Sequence, residues 1–168
     1  MSITSEPQHP TSDLIHQLED SRSRLLELVA DLEDDQMFGP QIRIVNPPLW
    51  EIGHVGWFQE RWISRNLDKA LALNASSDDL FNSFEVLHDW RWGLSLPSRD
   101  EILRYMSQVL EKSIIRLNSE PLNKSQAYFY LLSIFHEDMH GEAVMYSRQT
   151  LSYPVPKFLR GQSDNSLD

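Results

Sequence analysis

The chain has no cysteine. Disulfides and thiolate ligands are therefore excluded, any metal must rest on His, carboxylate or water, and any thiol chemistry must be brought by a substrate. Basic side chains are scarce as well: 15 Lys and Arg face 25 Asp and Glu, a formal net charge of −10. Such a field repels a phosphate backbone and an anionic bilayer, so neither nucleic acid nor a membrane is expected as a partner, and the acidity reads as a device for solubility. No apolar run reaches membrane-spanning length, and residues 1–10 carry neither the basic nor the apolar segment of a secretion signal. A cytoplasmic location is the expectation. Strand-like alternation and internal repeats are also missing, which leaves helices as the building material.

What is present suffices for one domain. A chain of 168 residues, 40% hydrophobic and 10% aromatic with five Trp, can bury a core of its own. Residues 1–11, with two prolines and small polar side chains, read as a flexible arm. From Ser12 as N-cap, Leu14, Ile15, Leu18, Leu25, Leu28, Val29 and Leu32 recur at helical spacing to about Asp34. Asn46-Pro47-Pro48 predicts the start of a second helix, capped by the Asn, that runs to about Asn66. Ser98-Arg99-Asp100-Glu101 is a capping box for a third, whose apolar stripe extends to Leu117, and Asn123 to Ser125 opens a fourth that ends near Leu151 before Pro154 and Pro156. Residues 159–168 read as a loose tail. The expected fold is an all-α, up-down-down-up four-helix bundle over residues 12–158. The 67–97 connection, far longer than usual between bundle helices, serves as crossover and functional loop, and Ser76 to Phe81 within it can start a short helix.

The fourth helix carries His136-Glu137-Asp138-Met139-His140. Positions four apart on a helix lie one above the other, so two imidazoles can point at one ion. The third ligand expected is His54, set among Trp50, Trp57 and Phe58 and flanked by Gly53 and Gly56, each costing about 1 kcal/mol in a helix unless something must approach closely. Three neutral imidazoles would leave coordination positions open, as in a catalytic site. The stretch also matches the H-E-x-x-H pattern of zinc hydrolases, in which the Glu is a general base, but no third ligand follows downstream as it does in those enzymes. His88 is a spare ligand in the connection, while His9 and His16 read as surface residues. In His88-Asp89-Trp90-Arg91-Trp92 an Arg held between two indoles could clamp a carboxylate; equally, the tryptophans could simply pin the loop to the bundle.

Three separated stretches, Asn46-Pro47-Pro48-Leu49-Trp50-Glu51-Ile52-Gly53-His54-Val55-Gly56-Trp57-Phe58, then residues 84–97 with His88-Asp89-Trp90-Arg91-Trp92, then His136 to Glu142, resemble the amino-terminal domain of the ergothioneine-type sulfoxide synthases, a branch of the DinB-like superfamily of four-helix bundles. The resemblance implies a non-haem Fe(II) centre on His54, His136 and His140. It also implies a reaction in which iron and dioxygen join a small-molecule thiol to the imidazole of trimethylhistidine as a sulfoxide. Arg91, with Trp90 and Trp92 beside it, is then placed on the substrate. Nickel or zinc can replace iron in such a site, since both bind nitrogen ligands more tightly. Family enzymes add a second domain resembling formylglycine-generating enzyme, which supplies much of the pocket. Here its role is expected to fall to a partner protein or to self-association, and the alternative function is a non-catalytic metal-binding module that needs such a partner.

Overall fold

The computed structural model describes residues 10–160, and every regular element among them is helical. Helix α1, Thr11–Val29, starts one residue before the expected cap: Pro10 stands at the N-cap and Ser12 lies inside the first turn. It also ends earlier than its apolar period suggests. A separate short helix, α2, Asp34–Phe38, follows, held by a reciprocal capping box of Glu33 and Gln36 and stopped by Gly39 at φ 62°. Only glycine enters that left-handed region without strain.

Helix α3, Pro48–Glu60, continues through a π-helical turn, Arg61–Arg65, and closes at Asn66 as its pattern predicts. Its N-cap is Pro47, not Asn46, whose side chain is used elsewhere. The connection contains α4, Ser77–Phe81, and a 3-10 helix, His88–Gly93. Helices α5, Arg99–Ser119, and α6, Lys124–Thr150, both begin in capping boxes, Ser98 with Glu101 and Asn123 with Gln126. Helix α7, Lys157–Arg160, takes in the first two residues of the expected tail. The rest of that tail, residues 1–9 of the arm and His9 with them lie outside the described residues.

The four long helices form the expected bundle. Arg22 meets Glu137 and the Leu28 carbonyl meets Arg148, so α1 and α6 run the same way. Met106 lies against Gly56 and Ser113 bonds Gln59, so α3 and α5 are also co-directional. Phe58 packs on His136 and Trp62 on Phe129, which sets α3 against α6 in the opposite sense. That is the order of an up-down-down-up chain whose middle helices need a long crossover.

Two apolar clusters fill the interior. The larger gathers Leu25, Val29, Trp50, Ile52, Phe81 and Met106, the smaller Leu14, Leu18, Ile63, Leu117, Tyr130 and Ile134. Between them along the helices lies Arg22, 4% exposed. Its guanidinium donates to Glu137 Oε1 and Oε2 at 2.6 and 3.2 Å, to the Met106 carbonyl at 2.7 Å and to Gln59 Oε1 at 2.6 Å, and Gln59 donates on to Ser113 Oγ at 3.1 Å. All four long helices therefore meet at one buried charge pair.

The crossover is tied to α3 rather than left free. Asp78 accepts both arms of Arg65 at 2.6 and 2.7 Å and the Trp57 indole N–H at 2.6 Å, the Leu80 carbonyl accepts Trp50 Nε1, and Glu60 accepts Leu73 N–H and the Tyr105 hydroxyl at 2.6 Å each. Burial and the neighbouring Glu60 carboxylate push the Tyr105 hydroxyl far above its ordinary pKa, so it stays a donor.

Removing one partner of a buried ion pair strands the other charge, at a cost of about 3–5 kcal/mol. Arg22→Ala is therefore expected to lower the urea unfolding free energy by about that amount. A loss within experimental error of zero would show that the hub does not hold the bundle.

Candidate metal centre

His54 on α3 and His136 and His140 on α6 offer one ring nitrogen each, all within 4.8 Å of one another. The Nε2 atoms of His136 and His140 are 3.2 Å apart. Two nitrogens bound at about 2.0–2.1 Å to one ion would be about 2.8–3.0 Å apart at octahedral angles and about 3.3–3.4 Å at tetrahedral ones, so the spacing falls within the range of neighbouring ligands. The i, i+4 pair and the expected third histidine thus come together.

The ring nitrogens facing away from this point are fixed in two of the three. His54 Nδ1 donates to the Phe81 carbonyl at 2.7 Å, and His140 Nδ1 donates to Glu51 Oε2 in a short contact. Each bond keeps the proton on Nδ1 and leaves Nε2 free to ligate, the usual arrangement of a metal-bound histidine and its outer partner. Buried Nδ1 of His136 has no hydrogen-bond partner, and that ring is held by stacking on Phe58, centroids 3.6 Å apart. His54 is stacked on Trp50 at 4.8 Å and Trp57 at 5.7 Å.

Gly53 is what lets Phe81 come this close: a Cβ there would fall 2.3 Å from the phenyl ring. At Gly56 the same atom would meet Met106 and Tyr105 at 3.1 and 3.2 Å, the α3 to α5 crossing. The approach that the two glycines allow is made by side chains, not by another backbone or a ligand.

Burial, followed by repulsion from His140, holds the His54 pKa at about 4, and burial with the same repulsion holds His136 at about 2. Both rings are neutral at physiological pH, the form that binds a cation. Burial alone would raise the Glu51 carboxyl, but the His140 and Asn46 hydrogen bonds outweigh it and keep it ionised.

Other sequence expectations fall out differently. Both oxygens of Glu137 are taken by Arg22, so the residue that would be the base of an H-E-x-x-H hydrolase faces the bundle hub instead of the histidines. His88 is no spare ligand: Nε2 bonds the Val45 carbonyl and Nδ1 bonds Asp89. His16 is exposed, as expected. Arg91 is not held between Trp90 and Trp92; its guanidinium lies 3.7 Å from the centre of Trp50 and donates to Asn46 Oδ1 at 2.6 Å. Trp92 pins the loop by donating to the Gly39 carbonyl at 3.1 Å, and Trp90 is 61% exposed. Glu51 and Asn46 are site residues that sequence reasoning missed. The signal was available in a carboxylate standing one turn before His54 on an otherwise apolar helix.

A groove of about 290 Å³ opens beside Trp57 and Phe58, the rings that pack on His54 and His136, with Arg61, Trp62 and the 82–85 segment also in its wall and none of the three histidines. A larger groove of about 940 Å³ between α1, α6 and the 152–159 segment contains none of the three histidines.

The sequence model of the family described as DinB superfamily matches residues 17–144. Among curated proteins, the chain is similar to a hercynine oxygenase of Mycolicibacterium thermoresistibile, 25% identical over 136 residues that make up 80% of this chain and 30% of the relative. It is similar also to a hercynine oxygenase of Mycobacterium tuberculosis, 25% identical over 127 residues, 74% of this chain and 29% of the relative. The chain therefore spans less than a third of the length of these relatives.

Two outcomes are expected. Gly53→Ala should drive Phe81 away from α3, lowering stability by about 1–3 kcal/mol in chemical denaturation and loosening the His54 hydrogen bond together with it. The metal-free protein should also lose stability on acidification. With folded pKa values of about 4 and 2 for His54 and His136, against about 6.5 unfolded, the unfolded chain binds protons that the native one refuses. Stability is undiminished by them above about pH 6.5, falls as the pH drops below that value, and levels off only when the folded values are reached. Equal urea midpoints at pH 7.5 and 5 would contradict this.

Proposed function

The chain belongs to the DinB superfamily, and from that membership and the geometry of its histidines we propose that residues 12–158 form a cytoplasmic module that holds one non-haem iron-type ion and handles a small-molecule thiol. The observation that carries the proposal is the convergence of three imidazoles, two with the far nitrogen hydrogen-bonded and two held neutral by burial. Likeness to hercynine oxygenases supports iron(II) as the working ion, with zinc or nickel as competing occupants on affinity grounds. Iron(II) held by three imidazoles supplies one-electron redox chemistry and open coordination positions.

The chain's own residues do the rest. His54, His136 and His140 bind the ion, the Phe81 carbonyl and Glu51 aim two of them, and Trp50, Trp57 and Phe58 exclude water from one side. On the substrate side stand Arg91, Trp90 and Trp92, where the exposed Trp90 indole offers a stacking face. The thiol must be brought by the substrate because the chain has no cysteine.

Turnover in this reading needs a partner. The relatives carry more than twice as much additional chain, and here Phe84, Phe135 and Met139 are exposed on the connection and on the histidine helix. Phe135 and Met139 lie four apart on one face of α6, and exposed apolar faces suit a docking surface. The fitting occupant is a separate protein supplying a formylglycine-generating-enzyme-like domain, with a second copy of this chain as the other candidate. The same observation favours the second reading, a metal-binding module that turns over nothing alone.

Metal analysis of protein purified without an affinity tag, alongside His136→Ala, tests the site. One ion per wild-type chain is expected, with loss of metal but unchanged helical circular dichroism in the variant, because the bundle has a core of its own. Oxygen uptake with trimethylhistidine and a thiol tests the chemistry, and slow or no turnover is expected from the chain alone. Absence of bound metal would refute the proposal, and rapid sulfoxide formation by the isolated chain would refute the need for a partner.

A further inference from the structure

Two parts of the 67–97 connection reach the histidines by separate routes. The shorter is the Phe81 carbonyl on His54. The longer runs through four side chains: Arg91 Nη1 donates to Asn46 Oδ1 at 2.6 Å, Asn46 Nδ2 donates to Glu51 Oε1 at 2.5 Å, and Glu51 Oε2 accepts His140 Nδ1–H. The direction of every bond is forced. A guanidinium only donates and a carboxylate only accepts, so the Asn46 amide cannot be flipped, and Glu51 is left with its second oxygen for the histidine. At the end of this sequence of bonds Nε2 of His140 lies 3.2 Å from Nε2 of His136.

We propose that Arg91 and Asn46 are positioning residues for the metal ligand His140, acting through Glu51, so that the 67–97 connection governs how tightly the three-histidine site holds its ion. The inference rests on the metal-binding reading above and adds to it a task for Arg91 distinct from contact with substrate. Asn46 stands just before the first turn of α3, and freed from capping the helix it spends both ends of its amide on the relay. Arg91 touches the second ligand branch as well, since Trp50, on which it lies, is stacked on His54. Loss of an outer partner of a metal-bound histidine costs about 10–100-fold in metal affinity, and that is the size of effect expected here.

Cobalt(II), bound to the purified full chain and titrated against a competing chelator, reads both affinity and ligand field. Arg91→Met and Asn46→Asp should each weaken cobalt binding about 10–100-fold and shift its visible absorption bands, with helical circular dichroism unchanged. Asn46→Asp keeps the size of the side chain and its bond from Arg91 but faces Glu51 with a second carboxylate, so it reports on the relay even where Arg91→Met fails to fold. Arg91→Lys, which can still donate to Asn46 but lacks the planar fork, should recover part of the loss. Folded variants with wild-type cobalt affinity and spectrum would overturn the relay and leave the metal site standing. A wild-type chain no better at binding cobalt than His136→Ala would overturn both.

Discussion

A buried arginine decides how the four helices can be turned. Arg22 carries a full charge into the middle of the bundle, and the low-dielectric interior tolerates it because Glu137 meets it with both oxygens and Gln59 and the Met106 carbonyl each take a further donor. Helix α6 is thereby locked in rotation. Successive residues on a helix project about 100° apart, so aiming Glu137 at α1 and α5 turns His136 and His140 toward α3. The motif's acidic residue serves the histidine cluster by orienting the helix that carries it, both its oxygens being held by Arg22. An H-E-x-x-H string read without the helix rotation would have assigned it the opposite role.

The crossover is subject to a second constraint, a steric one. Phe81 can present its carbonyl to His54 only while its ring fits against the bare backbone at Gly53. The crossover is then clamped from both sides, by Asp78 on Arg65 and Trp57 and by Trp92 on the Gly39 carbonyl. Long connections ordinarily open at low free energy. This one is tied on both sides of the point where it touches His54, which couples the order of the loop to the geometry of the histidine cluster.

Helix existence was legible wherever an apolar period ran long enough. The stripes on α1 and α5, the capping boxes of α5 and α6, and the i, i+4 histidines all emerged from spacing and chemistry local in sequence. What escaped detection depended on partners far along the chain. Arg22 sits in Ser21-Arg22-Ser23-Arg24, where Arg24 pairs on the surface with Asp20 and Asp138 while Arg22 is buried, and nothing local separates the two. Asn46 has the composition of an N-cap, but two long-range bonds, to Glu51 and Arg91, claimed its side chain. Helix α2 was hidden because its cap is a glutamate and its length a single turn, too short for a period to register. The stacking of Arg91 on Trp50 rather than between its neighbours follows from the 3-10 geometry of His88–Gly93, which sequence composition does not specify.

The three histidines are not equally held. His54 and His140 are aimed by hydrogen bonds that belong to the fold, whereas His136 has only the face of Phe58 and a buried Nδ1 without a partner. The Nε2 atoms of His136 and His140 lie 3.2 Å apart, so one of the two donates to the other. An ion bound by both rings would need both Nε2 lone pairs, so the proton shared between them would have to leave. The arrangement is thus two rings fixed by hydrogen bonds and a third held by stacking, flanked in the chain by the exposed Phe135 and Met139. A protein that docked over these two side chains would meet the one histidine of the three whose Nδ1 has no hydrogen-bond partner.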